Sequence, residues 1–390
     1  MHRHRRLRTT VSTRTLIHSA RLVTSGHVAR NGWVLFAGDR IAAVGDGDGF
    51  PDSDTVIDAG GGWLTPGFID IHGHGGGGAG FDSDADAIRT ALALHRSHGT
   101  TRSVLSLVTA SPPDLERQLG VVAAAAGADP LILGSHLEGP FLDKAHRGAH
   151  DPALLRSADR GSIDRLLDAA SGTLVQVTLA PELPGGMDAL RQLVDASVVV
   201  AVGHCAADYD VARSAFDAGA SILTHAFNAM PGIHHRSPGP VAAAMDSSGV
   251  TLEVINDGVH VHPAVVRLAF EGAPGRIALI TDAMAAAGAA DGQYMLGTLQ
   301  VAVTDGVARL SDSGSIAGST LTLDTALRLA VTSVGLPVET AVQALTQTPA
   351  RAIGRDRDLG QLAAGFAADA VLLDADFAVR GVWGAGTRLR

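Results

Sequence analysis

Eight short aliphatic runs, separated by helix-like stretches, constrain the fold of this chain more than any other feature. They cover residues 68–72, 100–108, 131–138, 174–182, 197–204, 222–225, 251–257 and 276–282. Runs of this length, rich in Val and Ile and bounded by turn residues, read as strands. Two of the stretches between them show clear helix punctuation: residues 84–98 start on Asp84 and stop at Gly99, and residues 208–218 start on Asp208 and stop at Gly219. An aspartate start satisfies free N–H groups of the first turn, and a glycine stop admits left-handed backbone. Strand and helix alternating eight times predicts an α/β protein, a (β/α)8 TIM-like barrel over about residues 69–349. A doubly wound open sheet is the alternative, and it would bind ligands along a crevice.

The runs are almost purely aliphatic until their last residues. There they carry His72, Glu138, Glu182, His204, His225, Asp257 and Asp282. The C-terminal ends of barrel strands form the catalytic face, so these groups are expected to converge on one mouth.

The flanks have a different texture. Short strand pieces with Gly and Asp turns fill the region before residue 69 and return after residue 350. Both ends are expected to build one small β-sandwich domain, 1–68 with 350–390, in which 1–11 is an extension outside the fold. Residues 298–303 and 307–310, joined by Asp305-Gly306, read as a hairpin inserted after the eighth run.

Composition removes several function classes. A formal charge of −10 argues against a nucleic-acid partner, which needs clustered cationic charge. No apolar run approaches the ~20 residues that span a bilayer, so no membrane partner is expected. A single cysteine, Cys205, permits no intramolecular disulfide and points to the cytoplasm.

His72-Gly-His74 closes the first run. Residues two apart on a strand share a face, so both imidazoles can reach one cation, although the motif alone also fits solvated turn histidines. Glu138, His204 and His225 add a carboxylate and two imidazoles, a set suited to Zn²⁺, Fe²⁺ or a similar divalent ion with one position left open. Asp282 can move a proton at such a centre, or merely cap a following helix. The sole lysine, Lys144, lies in a loop after Gly139-Pro140, where a carbamylated bridge between two metals is badly placed; Glu138 is the better bridge. His95, His98, His234 and His235 are read as structural or surface residues.

Pro66-Gly-Phe-Ile-Asp70 ahead of His72-Gly-His74 resembles the first barrel strand of the amidohydrolase superfamily. His136-Leu-Glu-Gly-Pro140, Val202-Gly-His204, Asn228-Ala-Met-Pro231, Asp257-Gly-Val-His260 and Thr281-Asp-Ala283 are together similar to the N-acetylglucosamine-6-phosphate deacetylases within it. The resemblance implies a metal-dependent hydrolase that releases acetate from a phosphorylated amino sugar. It implies Glu138, His204 and His225 as metal ligands, with His72 and His74 able to hold a second ion. It implies Asp282 as the acid–base group, and Ala149 with His150 over the acetamide, His150 being a hydrogen-bond donor in catalysis. Asn228, Ala229, Arg236 and His260 would contact the sugar phosphate, and Ile316, Ala317 and Gly318 would line the sugar pocket. It also implies a homodimer in which Arg236 reaches the neighbouring site. A related N-acetylhexosamine phosphate such as N-acetylgalactosamine 6-phosphate, another N-acyl amide, and an inactive scaffold are the competing readings.

Overall fold

Strands form in all eight aliphatic runs: Phe68–Asp70, Thr100–Val108, Ile132–Glu138, Leu174–Leu179, Val199–Val202, Ile222–Leu223, Thr251–Ile255 and Ile277–Ile280. They pair parallel in sequence order, each with the next. The computed structural model describes residues 13–24 and 26–390; the extension expected at 1–11 lies outside them. The first and eighth strands meet without a ladder. The seam is closed by Asp282 N donating to His72 O at 2.8 Å and Thr281 Oγ1 donating to Asp70 Oδ2 at 2.6 Å. Gly73 sits at this seam because a Cβ there would lie 2.9 Å from Thr281 Oγ1. The barrel is therefore nearly closed, and its strand C-termini share one rim.

Helices follow the strands on the outside, with the punctuation read from sequence. Asp84 caps Ala85–Ser97 by accepting from the backbone of Asp86 and Ala87, and Asp208 caps Tyr209–Asp217 at Val211 N. Gly99 and Gly219 follow with φ of 92° and 113°, which a side chain would oppose. Among the described residues no helix is long and apolar enough to cross a membrane.

Both chain ends contribute to one eight-stranded mixed sheet, with Ala370–Leu373 pairing antiparallel to Trp63–Pro66. The long strand Arg14–Thr24 is irregular between Ile17 and Ala20, where Ser19 has a φ of 57°. Such a bulge bends a strand. Its first half pairs with Thr55–Asp58 and its second with Trp63–Pro66. Phe36, Leu64, Leu372 and Trp383 are among the buried side chains of this sheet's core. Arg102 on the second barrel strand ties the sheet to the barrel through two bonds to Asp369, at 2.7 and 3.1 Å, with both side chains nearly buried.

The insertion after the eighth strand has three strands, not two: Gly292–Leu296, Leu299–Thr304 and Val307–Leu310. Asp305 and Gly306 both have positive φ, as a tight hairpin requires. The extra strand escapes sequence reading because it starts on glycine, lacks β-branched residues and stays partly exposed.

Candidate metal centre and substrate pocket

A cavity of about 470 Å³ opens at the C-terminal rim of the barrel. Its lining includes His74, Glu138, His150, His204, His225 and Asp282. Ala149, Asn228, Ala229, His260, Ile316 and Gly318 are also at its wall. His72 is fully buried beside them.

Four expected participants are elsewhere. Arg236 is exposed, binds His235 Nε2 and is not in the cavity wall. Ala317 points into the apolar core of the insertion with Val301, Val303 and Leu310. The strand before Glu182 stops at Leu179, so this carboxylate turns aside to accept from Ala206 N. Asp257 stands behind the wall, accepting from His260 Nδ1 at 2.6 Å, and so aims His260 without lining the cavity itself.

The rim residues form two overlapping groups, His72, His74, Glu138 and Asp282 on one side and Glu138, His204 and His225 on the other. Glu138 belongs to both. Its Oε1 lies 2.9 Å from His204 Nε2 and 3.0 Å from His225 Nε2, while its Oε2 lies 3.1 Å from His74 Nε2. His72 Nε2 is buried without a hydrogen-bond partner although Glu138 Oε1 is 3.4 Å away. Imidazole nitrogens converging on carboxylate oxygens, His72 Nε2 among them without a partner, suit a divalent cation. His204 Nδ1 donates to His146 O at 2.9 Å, which leaves Nε2 free as a ligand. The residues present thus fit two cations bridged by Glu138. Lys144 is exposed and outside this group.

The electrostatics agree. Burial alone would raise the Glu138 carboxyl, but the imidazoles of His72, His150, His204 and His225 hold it well below its usual range. Asp282 is likewise kept ionised against burial by the His74 hydrogen bond and the His72 charge. Burial pushes His74 down, yet Asp282 and Glu138 outweigh it and carry it up to about 9. Burial pushes His150 down to about 4, so it is neutral at physiological pH. Thr109 N can only donate, and it approaches His150 Nδ1 at 3.4 Å, with Thr109 Oγ1 at 2.9 Å. Nδ1 is therefore the acceptor, and Nε2 carries the proton and can donate into the cavity.

His204, His225 and Asp282 all have positive φ, between 26° and 47°. Non-glycine residues seldom adopt this backbone, and such strain gathers at functional sites because the surrounding structure must enforce it. Here main-chain bonds on both flanks enforce it for Asp282: its N binds His72 O and its O accepts from Ser319 N at 2.7 Å.

Several participants were not singled out in the sequence. Among the described residues, Arg147 is the one arginine or lysine that lines the cavity; it lies within Arg147-Gly-Ala-His150, so motif position was the available signal. Glu253 and Gln176 lie inside the barrel, fully buried beside the candidate metal centre, Glu253 being bonded to His72. His136 binds Ser106 Oγ and Thr178 Oγ1, and burial holds it neutral, well below its usual value.

Residues 63–389 match the amidohydrolase family. The chain is also 39% identical over 324 residues to the N-acetylgalactosamine-6-phosphate deacetylase of Escherichia coli O157:H7, covering 82% of this chain and 86% of that protein. The chain belongs to the amidohydrolase family. This amidohydrolase is 37% identical over 348 residues to the N-acetylglucosamine-6-phosphate deacetylase of Vibrio furnissii, spanning 88% and 86% of the two chains. It is also similar to a mutant N-acetyl-D-glucosamine-6-phosphate deacetylase from Mycobacterium smegmatis, solved in complex with N-acetyl-D-glucosamine-6-phosphate. That likeness has a TM-score of 0.93 at 46% identity and covers 97% of this amidohydrolase and 99% of the other chain.

Proposed function

We propose that this amidohydrolase hydrolyses the acetamide of N-acetyl-D-glucosamine 6-phosphate, giving D-glucosamine 6-phosphate and acetate. The observation that carries the reading is Asp282, an ionised carboxylate facing a complete cation-binding set on the floor of a cavity of about 470 Å³. The 46% identical relative with this sugar phosphate bound supports the choice of substrate.

Glu138, His204 and His225 would hold one divalent ion, Zn²⁺ or Fe²⁺ by the softness of the donors, and His72 and His74 would hold a second with Glu138 shared. Such an ion, when bound, polarises an amide carbonyl and makes water acidic enough to attack at neutral pH. Asp282 takes the proton of the attacking water and passes it to the sugar nitrogen, which leaves as the amine. The Nε2–H of His150 donates to the carbonyl oxygen as negative charge develops there. Ala149, Ile316 and Gly318 shape the acetamide and sugar pocket; Asn228 and Ala229, with His260, receive the sugar phosphate. Arg147 supplies the fixed positive charge that a phosphate dianion needs within the subunit. Arg236, outside this subunit's cavity, would serve only from the neighbour in a homodimer. A phosphorylated sugar substrate fits the cytoplasm.

A second reading, the C4 epimer N-acetylgalactosamine 6-phosphate, is favoured by the 39% identical relative of that name. Acetate release from both epimers by metal-loaded protein tests the pair. Faster turnover of the gluco epimer is expected; a preference for the galacto epimer reverses the order, and no acetate from either removes the proposal.

A further inference from the structure

We infer that Glu253 is the positioning residue that makes the His72 side of the centre a cation site, and so decides whether the protein carries two metal ions or one. The inference rests on reading the rim as a metal centre. Glu253 lies midway along the seventh barrel strand, Thr251–Ile255, and is fully buried. Its Oε2 is 2.9 Å from His72 Nδ1, and its Oε1 accepts from Gln176 Nε2 at 2.9 Å. Both carboxylate oxygens already act as acceptors, Oε1 for Gln176 Nε2 and Oε2 for His225 N, so the geometry makes His72 Nδ1 the donor and turns its Nε2 lone pair towards Glu138 and Asp282. Carboxylate support of this kind fixes the tautomer and ring orientation of a metal-binding histidine.

The dependence is one-sided. His204 is oriented by a backbone carbonyl, that of His146, and owes nothing to Glu253. His225 meets the Glu253 side chain only through its main-chain N at 3.3 Å, and the neighbouring bond from Ala226 N to Glu253 O, at 2.7 Å, is main chain alone. Among the described residues, Glu253 is the one side chain that hydrogen-bonds a ring nitrogen of His72, since Nε2 lacks a hydrogen-bond partner. Loss of the carboxylate should therefore free one ligand set and spare the other.

The test is metal content against graded chelator, with zinc-loaded wild type, Glu253→Gln and Glu253→Asp. The amide keeps the side-chain volume; the shorter acid keeps the charge but draws it away from His72. Wild type is expected to hold two ions per chain. Both variants should release one ion at roughly ten- to a hundredfold lower chelator activity while retaining the other. His72→Asn should give the same selective loss, and combining it with Glu253→Gln should add nothing further. Two ions held as tightly in the variants as in wild type, or both ions lost together, would overturn the inference. So would a wild type that holds one ion; if that protein still released acetate, the proposed activity would stand without it.

Discussion

Nε2 of His204 and Nε2 of His225 face each other at 2.9 Å, with Oε1 of Glu138 within 3.0 Å of both. Because His204 Nδ1 is already bonded to a carbonyl, this packing brings ligand atoms together around a point that a cation best occupies. Stripping the protein with a strong chelator is expected to abolish acetate release and lower Tm. Binding confined to the folded state stabilises by about 2.7 kcal/mol at a hundredfold excess over Kd, so the shift should be easily read by calorimetry. Restoring a divalent ion should recover both. A Tm indifferent to chelator would contradict the assignment.

Asp282→Asn would remove the proposed proton carrier but leave an amide that fills the same space. General acid–base groups contribute about 10²- to 10⁴-fold, so kcat should fall by that amount while substrate affinity, measured by calorimetry, changes little. A variant with near wild-type kcat would exclude Asp282 from the chemistry.

Arg147 lines the cavity and Arg236 does not. A hydrogen bond to a charged group contributes about 1.5–3 kcal/mol, so Arg147→Met should raise KM for the phosphorylated sugar roughly ten- to a hundredfold. The unphosphorylated N-acetylhexosamine should be turned over as before. If only Arg236→Met shows this discrimination, phosphate is read across a subunit contact.

The Asp257–His260 pair should leave a signature in stability against pH. Burial opposes ionisation of both, but their mutual hydrogen bond and attraction hold Asp257 below 3.8 and His260 above 6.5. The depressed acid stabilises above its unfolded value and loses that contribution as pH falls through the lowered one. The raised histidine stabilises fully below its unfolded value and loses that contribution as pH rises through the raised one. Asp257→Asn should therefore be most destabilised relative to wild type between about pH 4 and 6.5, and the gap should narrow on either side. A gap that does not vary with pH in chemical denaturation would show that the pair acts by shape alone.

The rim groups that could hold a cation were legible because of where they stand. His72, Glu138, His204 and His225, with Asp282 beside them, close aliphatic runs, and a polar group at the end of a buried strand either meets a partner or costs several kcal/mol. Glu253 was not legible by the same logic. It sits within a run, and which way a mid-strand side chain points depends on barrel tilt and register, which no local pattern encodes. Arg147 and Arg236 each looked like a loop arginine beside a motif, and only the path of the two loops separates them.

By itself, then, the sequence determined the barrel, the rim, and most of the residues that gather there into a set able to hold a cation, because strand periodicity and end positions are local properties of the chain. The tertiary structure alone decided that Glu138 is shared between two ligand groups and that Glu253 supports His72. It also turned Ala317 into the core and Glu182 away from the cavity. These are relations between residues far apart in the chain, fixed by closure of the barrel and the packing of its insertion.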